Sequence, residues 1–231
     1  MKKYTHLFFD LDHTLWDYER NSEATLLQLY DEYNLLQVAS FSASDFVKCF
    51  TKTNDQLWDR FHSGQIDQDY IREKRFPQIF KEFDQEFDFS KRMSDEYIGR
   101  CPSMGYIFPG ALELLDHLNG RYELHIITNG FADIQDIKLS TTGLENYFGE
   151  IVISGNTGFR KPQKEIFQYA LDKTGADHRS SIMIGDSIES DIQGAKNANM
   201  DQVLFNPKST PHSEQVTYEI KELMQLKDLG F

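Results

Sequence analysis

Residues able to do chemistry recur at four places in this chain, each at or just past a short apolar run. Asp10 and Asp12 follow residues 4–9. Thr128 closes residues 124–128, with Asn129 and Gly130 next. Lys161 and Pro162 come shortly after residues 151–154. Gly185, Asp186 and Ser187 follow residues 181–184, and Asp191 lies five places beyond Asp186. Apolar strands do not end in paired carboxylates without compensation, because burying an unpaired charge is costly. The compensation can be a cation, and the residue types say which chemistry it would serve.

That chemistry is phosphoryl transfer. Asp10 is the candidate nucleophile, a carboxylate that attacks phosphorus and forms an aspartyl-phosphate. Two anions repel, so the attack needs a positive charge. Asp10 and Asp186 are hard oxygen ligands suited to Mg²⁺, and the main-chain carbonyl of Asp12 can add a third. Asp191 supports the ion through water or by orienting Asp186. Thr128, Asn129 and the backbone N–H groups that follow can hold phosphate oxygens. Lys161 can balance both the nucleophile and the transferring group. Asp12, two residues past the nucleophile, can protonate the departing alcohol and then activate water.

Each of these signals is weak alone: Asp-x-Asp is commonly a turn, Thr-Asn-Gly is turn chemistry, and Gly-Asp-Ser is commonly a helix cap. Their weight comes from order and spacing, one group after each of four successive strands. In an open parallel sheet the ligand crevice lies outside the carboxyl ends of the strands. The elements that must position the groups are therefore five parallel strands, at 4–9, 124–128, 151–154, 181–184 and 202–205. Helical patterns lie between the later ones, at 110–118, 134–139, 165–171 and 188–198, the last closed by Asn199 as a left-handed cap. Strands alternating with helices read as βαβ units.

The first strand breaks the rhythm. Residues 17–104 are charge-dense and carry amphipathic helical patterns near 22–33, 44–61, 67–83 and 91–100. A structureless loop of that length inside a compact domain is improbable. The expected organisation is a core of residues 1–16 and 105–231 with an all-helical insertion at 17–104. In that insertion Arg72, Lys74 and Arg75 read as a solvated basic face. Trp58, Phe61 and Tyr70 read as packing residues or as a platform for an aromatic ligand.

Bulk properties narrow the partners. The chain has 231 residues, 39% hydrophobic and 26% charged, with a formal charge of −13. That charge argues against nucleic-acid polymers and anionic membranes as general partners. A small phosphorylated metabolite remains compatible if local cations overcome the field. Cys49 and Cys101 have no metal-ligand spacing and read as reduced thiols, so a cytoplasmic protein is expected. The apolar run after Lys2 and Lys3 stops at Asp10, too short for a signal-peptide core or a membrane span. A monomer or weak homodimer is expected.

Asp10-Leu11-Asp12-His13-Thr14-Leu15, Thr128-Asn129-Gly130, Lys161-Pro162 and Gly185-Asp186-Ser187 with Asp191 resemble the four motifs of the haloacid dehalogenase-like hydrolase superfamily. The helical insertion resembles that superfamily's C1 cap. The resemblance implies a Rossmann-like three-layer α/β/α core with a parallel sheet, Mg²⁺ and an aspartyl-phosphate intermediate. Residues 128–148 and 158–171 are similar to the bacterial pyrimidine 5′-nucleotidase branch, which implies a nucleoside 5′-monophosphate substrate. His13 stands where many relatives have Gly, and Asn199 replaces another common Gly. The alternatives are a sugar phosphate phosphatase, a phosphomutase of the β-phosphoglucomutase type and a 2-haloacid dehalogenase. The last needs no metal, and the metal-type acids argue against it.

Overall fold

The computed structural model describes residues 4–39 and 41–231; Lys2 and Lys3 lie outside the described residues. The chain divides into two compact units, Met1–Tyr18 with Gly105–Phe231, and Glu19–Met104.

The first unit is an α/β sheet structure. Its strands are β1 (His6–Phe9), β2 (Glu123–Thr128), β3 (Glu150–Ile153), β4 (Ser181–Gly185), β5 (Asp201–Phe205) and β6 (Tyr218–Ile220). They form one six-stranded sheet in the order β3-β2-β1-β4-β5-β6. All neighbours are parallel, with Phe8 opposite His125 on one side and Met183 on the other. Leu7, Phe8 and Phe9 are all buried, as strands covered on both faces require. Five strands fall where the apolar runs predict. The sixth, β6, was not expected, because three residues with an exposed Glu219 at their centre carry almost no hydrophobic signal.

Chain order reverses at β1. The chain adds β2 and β3 on one side, then crosses to β4, β5 and β6 on the other. This places the switch point between β1 and β4, where doubly wound sheets open a crevice. One layer of the core joins Phe8, Ile127, Val152 and Met183 of the sheet to the Ile166–Leu171 segment of a helix spanning Lys164–Thr174. That helix ends at Gly175 (φ 68°), and Asn199 at φ 56° caps the segment before β5 in the left-handed conformation, as its residue type predicts.

The second unit is helical. Its elements are α1 (Tyr18–Glu32, beginning at the boundary), α2 (Leu35–Val38), α3 (Ala43–His62), α4 (Gln68–Lys81) and α5 (Ser90–Arg100). Ser42 and Asp45 form a reciprocal capping box on α3, and the Asp67 carboxylate caps α4 at Tyr70 N–H. The interior is aromatic: Phe41, Phe46, Phe76 and Phe80 are all buried, with Phe46 and Phe80 stacked at 6.0 Å. Arg75 corrects one expectation. It is buried rather than part of a solvated basic face, donating to Asn54 Oδ1 (3.1 Å) and lying over the Phe50 and Tyr97 rings. Its planar, weakly hydrated guanidinium is suited to such stacking. Trp58, Phe61 and Tyr70 are half-buried, with Trp58 and Phe61 packed edge to face. No helix among the described residues is long and apolar enough to cross a membrane.

The sheet carries one pH-sensitive element. His125 of β2 is buried beside His6, with ring nitrogens 3.2 Å apart, and Phe8 packs on its ring. Its Nδ1 has no hydrogen-bond partner among the described residues. Burial, helped by His6, pushes the imidazole down to about 4. The unfolded chain therefore binds the proton first, near the ordinary value of about 6.5, and stability falls as pH drops from there towards 4. The full loss across that window is on the order of 3 kcal/mol. Urea unfolding at pH 7 and pH 4.5 is expected to show a smaller stability difference for His125→Leu than for the wild type. Equal differences in the two proteins would contradict this role.

Candidate active site

At the carboxyl end of β1 the ladder runs one residue further, Asp10 N–H donating to Ile184 O at 2.9 Å. The Asp10 backbone is thereby fixed against β4. Its carboxylate and those of Asp186 and Asp191 after β4 form one cluster, one oxygen from each lying within 4.8 Å of the other two. Lys161 joins them from the loop after β3. Its Nζ donates to Asp10 Oδ1 (2.7 Å) and Asp191 Oδ1 (2.6 Å).

The electrostatics follow from this crowding. Burial, opposed by Lys161 and reinforced by Asp191, pushes Asp10 up to about 7. Burial, with Asp191 and Asp10, raises Asp186 well above the carboxylate range. For Lys161 burial works against the charge, but Asp10 and Asp191 outweigh it and the ammonium is held protonated. One lysine thus faces three acids.

Asp191 is fully committed: Oδ1 takes Lys161 and Oδ2 takes the Ser187 N–H at 3.0 Å. Its carboxylate lies so close to Gly185 that a Cβ there would sit 2.2 Å from Oδ2. Gly185 is therefore required by packing. Asp186 Oδ1 receives a long bond from Thr14 Oγ1 (3.3 Å), and Asp10 Oδ2 has no partner among the described residues. Two under-satisfied hard oxygens, from Asp10 and Asp186, fit Mg²⁺, which takes one or two carboxylates and completes its shell with water and substrate.

Asp12 lies apart from this cluster. Lys138 Nζ donates to its Oδ1 (2.6 Å) and Gln135 Nε2 to its Oδ2 (2.9 Å). Both come from α7, which we number after α6 (Ala111–Leu118) and which spans Ala132–Thr142. Burial would raise the Asp12 carboxyl, but the Lys138 ammonium and the donors around it outweigh burial and hold it below its ordinary value. Gln135 Nε2 also donates to Thr128 Oγ1 (2.7 Å), which in turn accepts the Gly130 N–H (3.1 Å). With both lone pairs filled, the Thr128 hydroxyl has only its proton to offer, the form an anionic oxygen accepts.

The Asn129 side chain is hydrogen-bonded to the Lys161 backbone. Its Nδ2 donates to Lys161 O and its Oδ1 accepts the Lys161 N–H, both at 2.9 Å. This pair fixes the Lys161 backbone beside β2. His13 adopts φ 60° and its ring packs on Tyr18 at 4.9 Å. The left-handed backbone explains why Gly suits this position, and His is among the residues that tolerate it.

Sequence reasoning missed Lys138 and Gln135. Both are buried, with Leu139, on the inward face of α7, while Ile137 points outward. The signal available was a helix whose inward i, i+3, i+4 row is Gln, Lys, Leu, with an isoleucine out of phase.

Comparison with known proteins agrees with this geometry. The family model for haloacid dehalogenase-like hydrolases matches residues 7–205. The pyrimidine 5′-nucleotidase YjjG of Escherichia coli is 32% identical, the alignment covering 98% of each chain. The pyrimidine 5′-nucleotidase PynA of Streptococcus pneumoniae is 32% identical over 97% of this chain and 94% of its own. The magnesium-bound crystal structure of the HAD-hydrolase YfnB from Bacillus subtilis superposes with a TM-score of 0.87 at 29% identity, covering 99% of both chains. Fold, site and full-length similarity lead to one assignment: this chain belongs to the haloacid dehalogenase-like hydrolases.

Proposed function

We propose that this hydrolase is a Mg²⁺-dependent phosphomonoesterase acting through an aspartyl-phosphate on Asp10, with pyrimidine nucleoside 5′-monophosphates as its preferred substrates. The observation that carries the reading is the convergence of Asp10, Asp186, Asp191 and Lys161 at the β1/β4 switch point. In this reading residues 1–16 and 105–231 form the catalytic core, and the helical insertion, residues 17–104, selects the leaving group.

Asp10 attacks phosphorus, the bond from phosphorus to the leaving oxygen breaks, and Asp12, which must carry a proton at this step although Lys138 favours its ionised form in the substrate-free protein, gives that proton to the leaving oxygen. Water then attacks phosphorus, its proton passes to Asp12, and the bond to Asp10 breaks. Lys161 neutralises Asp10 and the transferring group, and Thr128 donates its hydroxyl proton to a phosphate oxygen. Asp10 and Asp186 would hold Mg²⁺, with the main-chain carbonyl of Asp12. When bound, the ion supplies the positive charge that lets two anions approach.

The nucleotide part is supported by full-length similarity to YjjG and PynA, both pyrimidine 5′-nucleotidases. It is tested by phosphate release from uridine and thymidine 5′-monophosphates, sugar phosphates and phosphoglycolate, with Mg²⁺ and with EDTA. The nucleotides are expected to lead in kcat/KM by at least tenfold, a transition-state difference of ~1.4 kcal/mol, and EDTA should abolish turnover. A sugar phosphate that wins by the same margin removes the nucleotide assignment. Full turnover in EDTA removes the metal-dependent mechanism.

A further inference from the structure

We infer that Lys138 and Gln135 are positioning residues for the reaction. Together they lock both oxygens of the Asp12 carboxylate, and Gln135 ties that carboxylate to the phosphate-binding hydroxyl of Thr128. The inference rests on the phosphomonoesterase reading above.

The bonding is complete and reciprocal. Each Asp12 oxygen has one donor, Lys138 Nζ at 2.6 Å and Gln135 Nε2 at 2.9 Å, so rotation of the carboxylate about its Cβ–Cγ bond would break both. Gln135 Nε2 spends its second proton on Thr128 Oγ1 at 2.7 Å. One side chain therefore sets both the proton-transfer group and the phosphate donor. Gln135 is fully buried and Lys138 nearly so, its ammonium lying 4.4 Å from the centre of the Trp16 ring. Gln135 Oε1 has no partner among the described residues.

Stability alone does not account for this arrangement. A helix packed on a sheet ordinarily turns apolar side chains inward, and a buried lysine and glutamine forgo that gain. Local rules broken in this way are expected at functional sites. Gly130 fits the same account: a Cβ there would lie 2.1 Å from Gln135 Nε2, so only glycine lets the amide reach Thr128.

Positioning of this kind acts on proton transfer. Asp12 delivers a proton to the leaving oxygen as phosphorus moves to Asp10, then takes one from the attacking water. p-Nitrophenolate leaves without a proton, whereas the 5′-oxygen of uridine needs one. A misdirected Asp12 should therefore slow phosphoenzyme formation from uridine 5′-monophosphate and spare formation from p-nitrophenyl phosphate. Breakdown of the phosphoenzyme, which is the same from either substrate, should slow in both cases.

The test is acid-quench kinetics with both substrates carrying radiolabelled phosphate, on the full chain with Mg²⁺. For Lys138→Met, formation from uridine 5′-monophosphate and breakdown are each expected to fall about a hundredfold, within the usual range for a general acid–base group. Formation from p-nitrophenyl phosphate and KM should change little. Lys138→Arg, which keeps a charged donor, should recover most of the loss. Gln135→Leu should reproduce the breakdown defect and also weaken inhibition by inorganic phosphate, because Thr128 loses one of the two donors that fix its hydroxyl. It carries the test if Lys138→Met does not fold. Wild-type breakdown rates in a folded Lys138→Met, or in Gln135→Leu, would overturn the inference while leaving the phosphoenzyme reading intact. Absence of any phosphoenzyme in the wild type would overturn that reading itself.

Discussion

Asp10→Asn is expected to lose turnover by at least about 10⁴-fold, since covalent catalysis has no substitute nucleophile at this position. The loss should not come from misfolding. Burial holds the Asp10 carboxyl up near 7 in the metal-free protein, so its folded-state value lies above its unfolded one. Ionising it costs stability progressively as pH rises from about 4 to 7, and above 7 the cost is fully present. The neutral amide avoids that cost. Metal-free Asp10→Asn should therefore unfold at higher denaturant than the wild type at pH 8, with the gap closing towards pH 4. Near-normal turnover would contradict nucleophilic attack by Asp10, and a destabilised variant at pH 8 would contradict the electrostatic account of the site.

Lys161→Met should fail on both counts. The ammonium is buried and contacts Asp10 and Asp191 at 2.7 and 2.6 Å. Methionine nearly fills the same volume but leaves two carboxylates uncompensated. Removing one partner of a buried ion pair typically costs 3–5 kcal/mol, so a loss of about that size is expected in urea unfolding. Mg²⁺ should restore part of it, because the ion neutralises the same acids. Turnover should fall by roughly 10²–10³, the usual scale for losing one preorganised electrostatic contact. An unchanged unfolding midpoint without metal would show that the acids do not depend on this lysine.

The groups that depend on strand ends were legible in the sequence. Asp10, Thr128 and Asp186 each sit where a run buried on both faces stops, and the sheet delivers strand ends to one crevice whatever the helices do. Lys161 was legible because its loop follows such a run. What Asn129 does was not legible: its amide is spent on the Lys161 backbone, a long-range pairing that residue type cannot reveal. Lys138 and Gln135 were hidden for a related reason. A lysine and a glutamine within a helix ordinarily mark its solvent face, and here they mark its buried one. Arg75 misled in the same direction, since a charged run on α4 turns one member inward against Phe50 and Tyr97. Strand β6 escaped because its pairing to β5, not its composition, makes it a strand.

The central claim is that Asp10 carries the phosphoryl group, and peptide mapping of the acid-quenched enzyme tests it most directly. After brief mixing with radiolabelled uridine 5′-monophosphate and Mg²⁺, label is expected on the peptide containing Asp10, sensitive to hydroxylamine as an acyl phosphate is, and absent from Asp10→Asn. Label on another peptide, or turnover in the wild type with no protein-bound label at any quench time, would contradict it.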